Sequence, residues 1–276
     1  MWWHASKVIE KMNSWDTFVW FDADIKNLEL AKQRLENINK DKKVNIILIN
    51  SNFVNLKEEL EKNNIEKITW IYYDLGISSL HVDEAERWFS FRLDWPLDMR
   101  FDKTSWETAA QIVNSYTEAK LREIFLKYWE EPSSAKIARI IVEKRKKEKF
   151  KTTTDLAEII NEAVKFPKTK TRIFQALRIE VNKELEYAEK SIKTAIELLE
   201  KDWIIFVISF HSLEDRIVKQ TFKKETRDCI CTDIICSCHH TKSLKLLTKK
   251  PILPTQEEVK QNPRSRSAKA RCAKKL

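Results

Sequence analysis

The sequence predicts an α/β fold, a parallel sheet flanked by helices and interrupted by an inserted all-helical domain. Three observations carry this expectation. Apolar strand-like runs alternate with segments of helical period through residues 5–74. Strand patterning then stops between residues 106 and 200, where amphipathic helical stretches follow one another. The alternation returns over residues 204–224. Alternating strands and helices build a parallel sheet covered on both faces, an architecture common to nucleotide-binding domains.

In chain order, residues 5–13 read as helix and 17–21 as strand. Residues 25–37 are helix, because Leu28, Ala31, Leu35 and Ile38 recur at helical spacing. Residues 45–49 and 68–74 are strands, the second apolar on both faces, with a helix at 54–63 between them. The insertion is expected to hold helices at 108–115, 118–128, 134–149, 154–164 and 172–199. A strand at 204–209, a helix at 213–224 and a short strand at 244–247 complete the sheet domain. The expected domains are therefore 1–105 with 201–248 for the sheet, 106–200 for the insertion, and 249–276 as a basic tail. A doubly wound domain should open with a strand leading into the loop before Ala5, and the sequence begins in that loop, as a fragment or a chain with a miscalled start would.

With 276 residues and 42% hydrophobic content, the chain can fill such a core. It has no run of eighteen apolar residues and no signal-peptide layout, so a cytoplasmic protein without a membrane partner is expected. The net charge is +9, and nine of the basic residues lie beyond position 248 against only Glu257 and Glu258. Such a tail either neutralises nucleic-acid phosphates or is a solvated basic end. Composition carries an anomaly: one glycine and ten tryptophans, where about 7% glycine, roughly nineteen residues, is usual. Trp15, Trp95 and Trp203 stand where the chain should turn, positions where positive φ favours glycine. The hypothesis that unites these facts is a gene whose UGA codons mean glycine, read here as tryptophan.

Two carboxylates end predicted strands. Asp22 closes Thr17-Phe-Val-Trp-Phe-Asp22, where an acidic side chain can accept both ribose hydroxyls of an adenosine cofactor or simply cap a turn. Asp74 closes an apolar strand and is followed two residues later by Gly76, the sole glycine, so Asp74 and the loop to His81 should face the reacting groups. His211 follows the strand at 204–209 and falls on the same edge, either to orient a base or to bond within its own loop. Cys229, Cys231, Cys236 and Cys238 form two C-x-C pairs close enough to hold a tetrahedral metal, although C-x2-C is the usual zinc spacing. Reduced thiols are the preferred expectation, and no metal is assigned.

Several ordered segments run in sequence: Asp74-Leu-Gly-Ile-Ser-Ser79, residues 83–102 around Arg-Leu-Asp-Trp-Pro-Leu-Asp-Met-Arg-Phe-Asp102, Ile208-Ser-Phe-His-Ser-Leu-Glu-Asp-Arg-Ile-Val218, and Asn262-Pro-Arg-Ser-Arg-Ser-Ala-Lys269. Together they resemble the RsmH (MraW) family of 16S ribosomal RNA cytosine-N4 methyltransferases over essentially the whole chain. The resemblance implies a Rossmann-like class I methyltransferase sheet with the helical insertion. It implies S-adenosyl-L-methionine as cofactor, and a decoding-site cytosine of 16S rRNA in the small ribosomal subunit as target. The family's Gly-Gly-His cofactor loop falls on Trp2, Trp3 and His4, with further cofactor contacts on Asp22, Phe53, Asp74 and His81, the last replacing a glutamine. Family glycines also fall on Trp88, Trp95, Trp106 and Trp129, and on Trp15, Trp20, Trp70 and Trp203. Such chemistry needs no metal; it needs orientation and a proton acceptor, assigned to Asp74 with His211 beside it. The target base must leave its stack, and Arg92, Arg100 and Arg172, with Arg264 and Arg266 of the tail, are the expected RNA contacts. A monomer or homodimer is expected. The competing class is a non-catalytic RNA-binding or ribosome-assembly protein on the same fold, which a true Trp2-Trp3 pair would favour.

Overall fold

The computed structural model describes residues 2–76, 94–103, 107–129, 132–231 and 236–276, with Trp2, Trp3, Trp129 and Pro167 described by their backbone alone. The chain divides into two compact units, Met1–Gly76 with Leu185–Leu276, and Ile77–Glu184.

The first unit opens with α1 (Trp2–Ile9), β1 (Thr17–Asp22), α2 (Ile25–Asn39), β2 (Asn45–Asn50), a 3-10 turn (Phe53–Asn55), α3 (Leu56–Lys62) and β3 (Ile68–Asp74). β1 and β2 pair in parallel, Thr17 opposite Asn45 through Asp22 opposite Asn50. The apolar stripe expected of α2 is buried at Leu28, Ala31 and Leu35, against Ala5 and Ile9 of α1 and Phe18 and Trp20 of β1. α2 starts where it does because the Asp24 side chain accepts the Lys26 N–H at 3.0 Å.

The returning half consists of α9 (Glu184–Leu198), whose first residue lies in the other unit, then β4 (Leu199–Ser209), α10 (Ser212–Glu225), β5 (Leu244–Leu246), α11 (Gln256–Gln261) and β6 (Lys269–Lys275). The second sheet has the order β3-β4-β6-β5. β3 and β4 are parallel, with Tyr72 opposite Phe206 and Asp74 opposite Ile208. β6 runs antiparallel to β4 and to β5, so the sheet is mixed rather than wholly parallel. Its core joins Leu56 and Leu60 of α3, Tyr73, Ile205 and Val207 of the strands, Ile192 and Ile196 of α9, and Val218 and Phe222 of α10. Each fully buried aliphatic side chain there contributes about 1.5–3 kcal/mol.

The second unit contains α4 (Ala109–Ser115), α5 (Glu118–Trp129), α6 (Ser134–Lys144), α7 (Thr153–Ala163) and α8 (Pro167–Asn182). α5 packs on α6 and α8 through fully buried Leu121, Phe125, Ile137, Ile141, Ile173 and Leu177. Capping boxes at Thr108/Gln111 and Thr152/Asp155 satisfy the first N–H groups of α4 and α7.

Several expectations change. The long helix over 172–199 is two helices, because Lys183 adopts the left-handed conformation at φ 49° and ends α8. The second of them, α9, belongs to the sheet unit because its buried stripe Ala188, Ile192, Ala195 and Ile196 matches the sheet core. The unit boundaries consequently fall at residues 76 and 184 rather than 106 and 200. The basic tail is not a separate appendage either: β6 is an inner strand of the second sheet, and Arg271 on it is buried against Asp215 of α10 at 2.7 and 3.1 Å. Finally, no described tryptophan has positive φ. The turn before Trp203 is made by Asp202 at φ 69°, at the bulge where the β3–β4 register shifts between Ile68 and Trp70.

Candidate active site

Parallel strands deliver their last residues to the same edge of their sheet; Asp22 closes β1 in the first sheet and Asp74 closes β3 in the second. Asp22 is set by its neighbours: its Oδ1 accepts the Asp24 N–H at 2.9 Å and an Asn27 side-chain N–H at 3.4 Å. Asn50, at the end of β2, donates to the backbone carbonyls of Asp22 and Ala23 at 3.1 and 3.3 Å. Asn27 is 92% buried on the first turn of α2, and its own Oδ1 has no hydrogen-bond partner among the described residues. A buried amide oxygen left in this way is costly, which marks the wall beside Asp22 as built for a polar neighbour.

Phe53 follows the end of β2. Its backbone is pinned from α9, where the Ser191 hydroxyl donates to the Phe53 carbonyl at 2.7 Å. Its ring stands edge-on to Tyr73 with centroids 6.0 Å apart, a half-buried apolar plate suited to an aromatic ligand.

Around Asp74 the structure brings together a second set. His4 Nδ1, on α1, lies 3.4 Å from Asp74 Oδ2. Tyr72 sits beside His4 with ring centroids 6.3 Å apart, and burial, reinforced by the charge of Asp74, pushes its hydroxyl well above the usual tyrosine range. Tyr72 thus remains a protonated wall rather than a competing base. Gly76 adopts φ +100°, and a Cβ there would meet the Phe210 ring at 3.2 Å. This glycine is required twice, by backbone conformation and by the close approach of the loop after β4. The Leu75 N–H donating to the Ile208 carbonyl at 2.9 Å ties the loops after β3 and β4 side by side.

His211 therefore follows β4 on the same edge as Asp74, and it caps the next helix. Its Nδ1 accepts the Glu214 N–H at 3.4 Å, and its Nε2 lies 2.9 Å from Glu214 Oε1. The Glu214 carboxylate in turn accepts the Phe210 and His211 N–H groups at 2.8 and 3.2 Å. This is a capping box at the start of α10, buried on both side chains.

Of the expected RNA contacts, Arg100 is engaged within its own unit: Nε and Nη2 hold both oxygens of Asp98 at 2.6 and 2.9 Å, and Nη1 donates to the Lys103 carbonyl. Its segment is wired into the helical unit, since the Asn182 side chain donates to the Met99 carbonyl and accepts the Phe101 N–H. Arg172 lies over the Phe166 ring, 5.8 Å from its centroid, while Arg264 and Arg266 are exposed. His81 and Arg92 lie outside the described residues, as do the side chains of Trp2 and Trp3. Asn27, Tyr72 and the Gly76–Phe210 contact were missed at the sequence level. Only Asn27 had a signal, a polar residue on the first helical turn after a strand-end acid.

No helix of the described residues is long and apolar enough to cross a membrane. The chain matches the MraW methylase family over residues 3–276. It is 45% identical to ribosomal RNA small subunit methyltransferase H of Caldicellulosiruptor saccharolyticus over 279 residues, covering 99% of this chain and 89% of that one. Relatives carrying the same name in Clostridioides difficile and Dehalococcoides mccartyi are 42% and 44% identical, over 99% of this chain and 89% and 78% of theirs. With an acid closing each of the parallel strands β1 and β3, a glycine turn and a capped loop at the ends of β3 and β4, and with matches of this extent, the chain belongs to the MraW methylase family, methyltransferases of Rossmann-like fold.

Proposed function

We propose that the chain methylates the N4 amine of the decoding-site cytosine of 16S rRNA in the small ribosomal subunit, with S-adenosyl-L-methionine as methyl donor. The observation that carries this reading is Asp74 at the carboxyl end of β3, beside His4 and the Gly76 turn. The residues present fit the cofactor: Asp22 offers carboxylate oxygens to ribose hydroxyls, Phe53 a ring face for adenine, and the α1 backbone with His4 the methionine end. Two departures from the family pattern stand out: Trp2-Trp3 where the family's glycines allow close backbone approach, and His81 in place of a glutamine.

Bound there, the donor would supply a methyl group from its sulfonium, leaving the thioether. The cytosine amine is a weak nucleophile because its lone pair is delocalised into the ring. Asp74 Oδ accepts the proton that the amine loses and complements the positive charge that develops on nitrogen. His4, within 3.4 Å, holds that carboxylate in orientation. His211 acts through position, fixing with Glu214 the loop that lies against Gly76.

The mismatch at Trp2 and Trp3 is best accounted for by decoding UGA as glycine in the native cell. Its supports are the ten-to-one tryptophan excess, the 87% and 46% exposure of Trp15 and Trp203, and the buried Trp95 indole N–H, which has no partner among the described residues. Tight binding of S-adenosylmethionine by the chain carrying Trp2→Gly and Trp3→Gly, with methyl transfer to undermethylated small subunits, supports the enzyme. A folded chain with both glycines that binds RNA but no cofactor would make it a non-catalytic RNA-binding protein.

A further inference from the structure

Between α10 and β5 the chain makes an excursion that has no core. None of the described residues from 226 to 243 is buried. The mouth of the excursion is clamped: the Ser243 N–H and hydroxyl donate to the Glu225 carbonyl and carboxylate at 2.8 and 2.6 Å, and Lys242 Nζ lies 3.3 Å from Asp228 Oδ2. Beyond that mouth a segment with no apolar packing needs another source of order, because conformational entropy opposes its folding at every residue.

The excursion gathers four of the five cysteines. The Sγ atoms of Cys229, Cys231, Cys236 and Cys238 all lie within 4.8 Å of one another. Cys236 and Cys238 are 3.7 Å apart, and Cys238 and Cys229 are 3.9 Å apart. A disulfide has a bond of about 2.05 Å, so these are not oxidised pairs. A tetrahedron of sulfurs around zinc, with Zn–S of about 2.3 Å, has edges of about 3.8 Å, the separation observed. Backbone N–H groups also turn toward the sulfurs, Ser237 to Cys231 at 3.4 Å and Ile230 to Cys238 at 3.5 Å. Donors in these positions stabilise coordinated thiolates and orient them.

The geometry points to a structural zinc site in which Cys229, Cys231, Cys236 and Cys238 hold one Zn2+ ion as a tetrathiolate. Residues 232–235 lie outside the described residues. The short C-x-C spacing, which favoured free thiols at the sequence level, is no obstacle once both pairs converge on a single centre. Binding releases the thiol protons and leaves a centre of charge −2. Four protein ligands close the coordination sphere, so the ion has no open position for substrate. It is also remote from Asp74: α10 is fourteen residues long, about 21 Å at 1.5 Å per residue, with His211 at one end and the cysteine excursion at the other. The ion therefore cross-links the turn that leads from α10 into β5, and through β5 steadies β6.

The test uses the full chain, purified without chelator under reducing conditions and supplied with Zn2+ alone. The expected result is about one zinc per chain, with Co2+ substitution producing the intense thiolate charge-transfer and visible bands of a tetrahedral sulfur site. Cys238→Ser should weaken zinc binding by roughly tenfold or more, while Cys272→Ser, on β6 outside the cluster, leaves it unchanged. Because Cys238→Ser could unfold the excursion for other reasons, iodoacetamide labelling of the unaltered chain provides an independent reading. Zinc should protect the four cluster cysteines and chelator should expose them, with Cys272 insensitive to both. A folded chain that binds no stoichiometric zinc, gives the weak spectrum of octahedral Co2+, or shows cluster cysteines labelled equally with and without zinc would overturn the assignment.

Discussion

The proposed role of Asp74 as proton acceptor is tested by a conservative substitution. Replacing Asp74 by Asn keeps the shape of the strand end but removes the proton acceptor, so kcat should fall by about 10²–10⁴-fold, with cofactor affinity, read by calorimetry, changing far less. A normal turnover in a folded D74N protein would remove Asp74 from the mechanism. Trp2→Gly with Trp3→Gly should tighten cofactor binding by about tenfold or more, roughly 1.4 kcal/mol. In protein isolated from the native cell, the tryptic peptide of residues 93–100 should have the mass of glycine at position 95, and a tryptophan mass would refute the codon reading. Strand-end acids were legible because Asp22 and Asp74 each close an apolar run. His211 was ambiguous for a physical reason: a histidine after a strand and three residues before a glutamate can face a ligand or cap the next helix, and the capping box is seen only in coordinates. The indoles of Trp15 and Trp203 misled in detail, since neither residue takes the positive φ that their turn positions suggested.

Elements show where burial overrides pattern. The helical period runs without interruption through residues 172–199, and only the left-handed Lys183 divides it. Burial raises the Glu180 carboxyl, but bonds from Lys183 and Tyr128 at 2.7 Å each outweigh it and hold it below the usual range. A lowered folded value means that stability is fully present above the unfolded carboxyl value, about 4.3. It is lost as pH falls from there through the lower folded value. Thermal unfolding followed against pH should show this loss in the unaltered chain and a smaller one in Glu180→Gln; equal acid sensitivity would contradict it. β6 escaped the sequence reading because Lys269-Ala-Arg-Cys-Ala-Lys-Lys275 reads as a charged run. Arg271 is buried only because Asp215 meets it with two hydrogen bonds. Arg271→Ala, which removes both hydrogen bonds to Asp215 and leaves it only the longer Lys269 ion pair at 3.9 Å, should destabilise the chain by up to roughly 3 kcal/mol in a denaturant titration, whereas an exposed tail arginine would cost almost nothing.

At the scale of the molecule, a chain of net charge +9 should bind RNA with affinity that falls steeply as salt rises. Exposed Arg264 and Arg266 lie outside the β6 pairing, so replacing both by Ala should reduce the salt slope without lowering the melting temperature. An unchanged slope would assign RNA contact elsewhere. The two-unit organisation was legible from where strands stop and restart, yet its boundaries were not, because the stripe on α9 has the same period whichever core it covers. The central claim concerns the product. Small subunits that lack the modification should be incubated with S-adenosylmethionine and the chain carrying glycine at positions 2 and 3, and nucleosides from the isolated 16S rRNA identified by mass spectrometry. N4-methylcytidine is expected at the decoding site, and is absent when Asp74 is Asn. Methyl groups on another base or atom, or none from a chain that binds the cofactor, would contradict it.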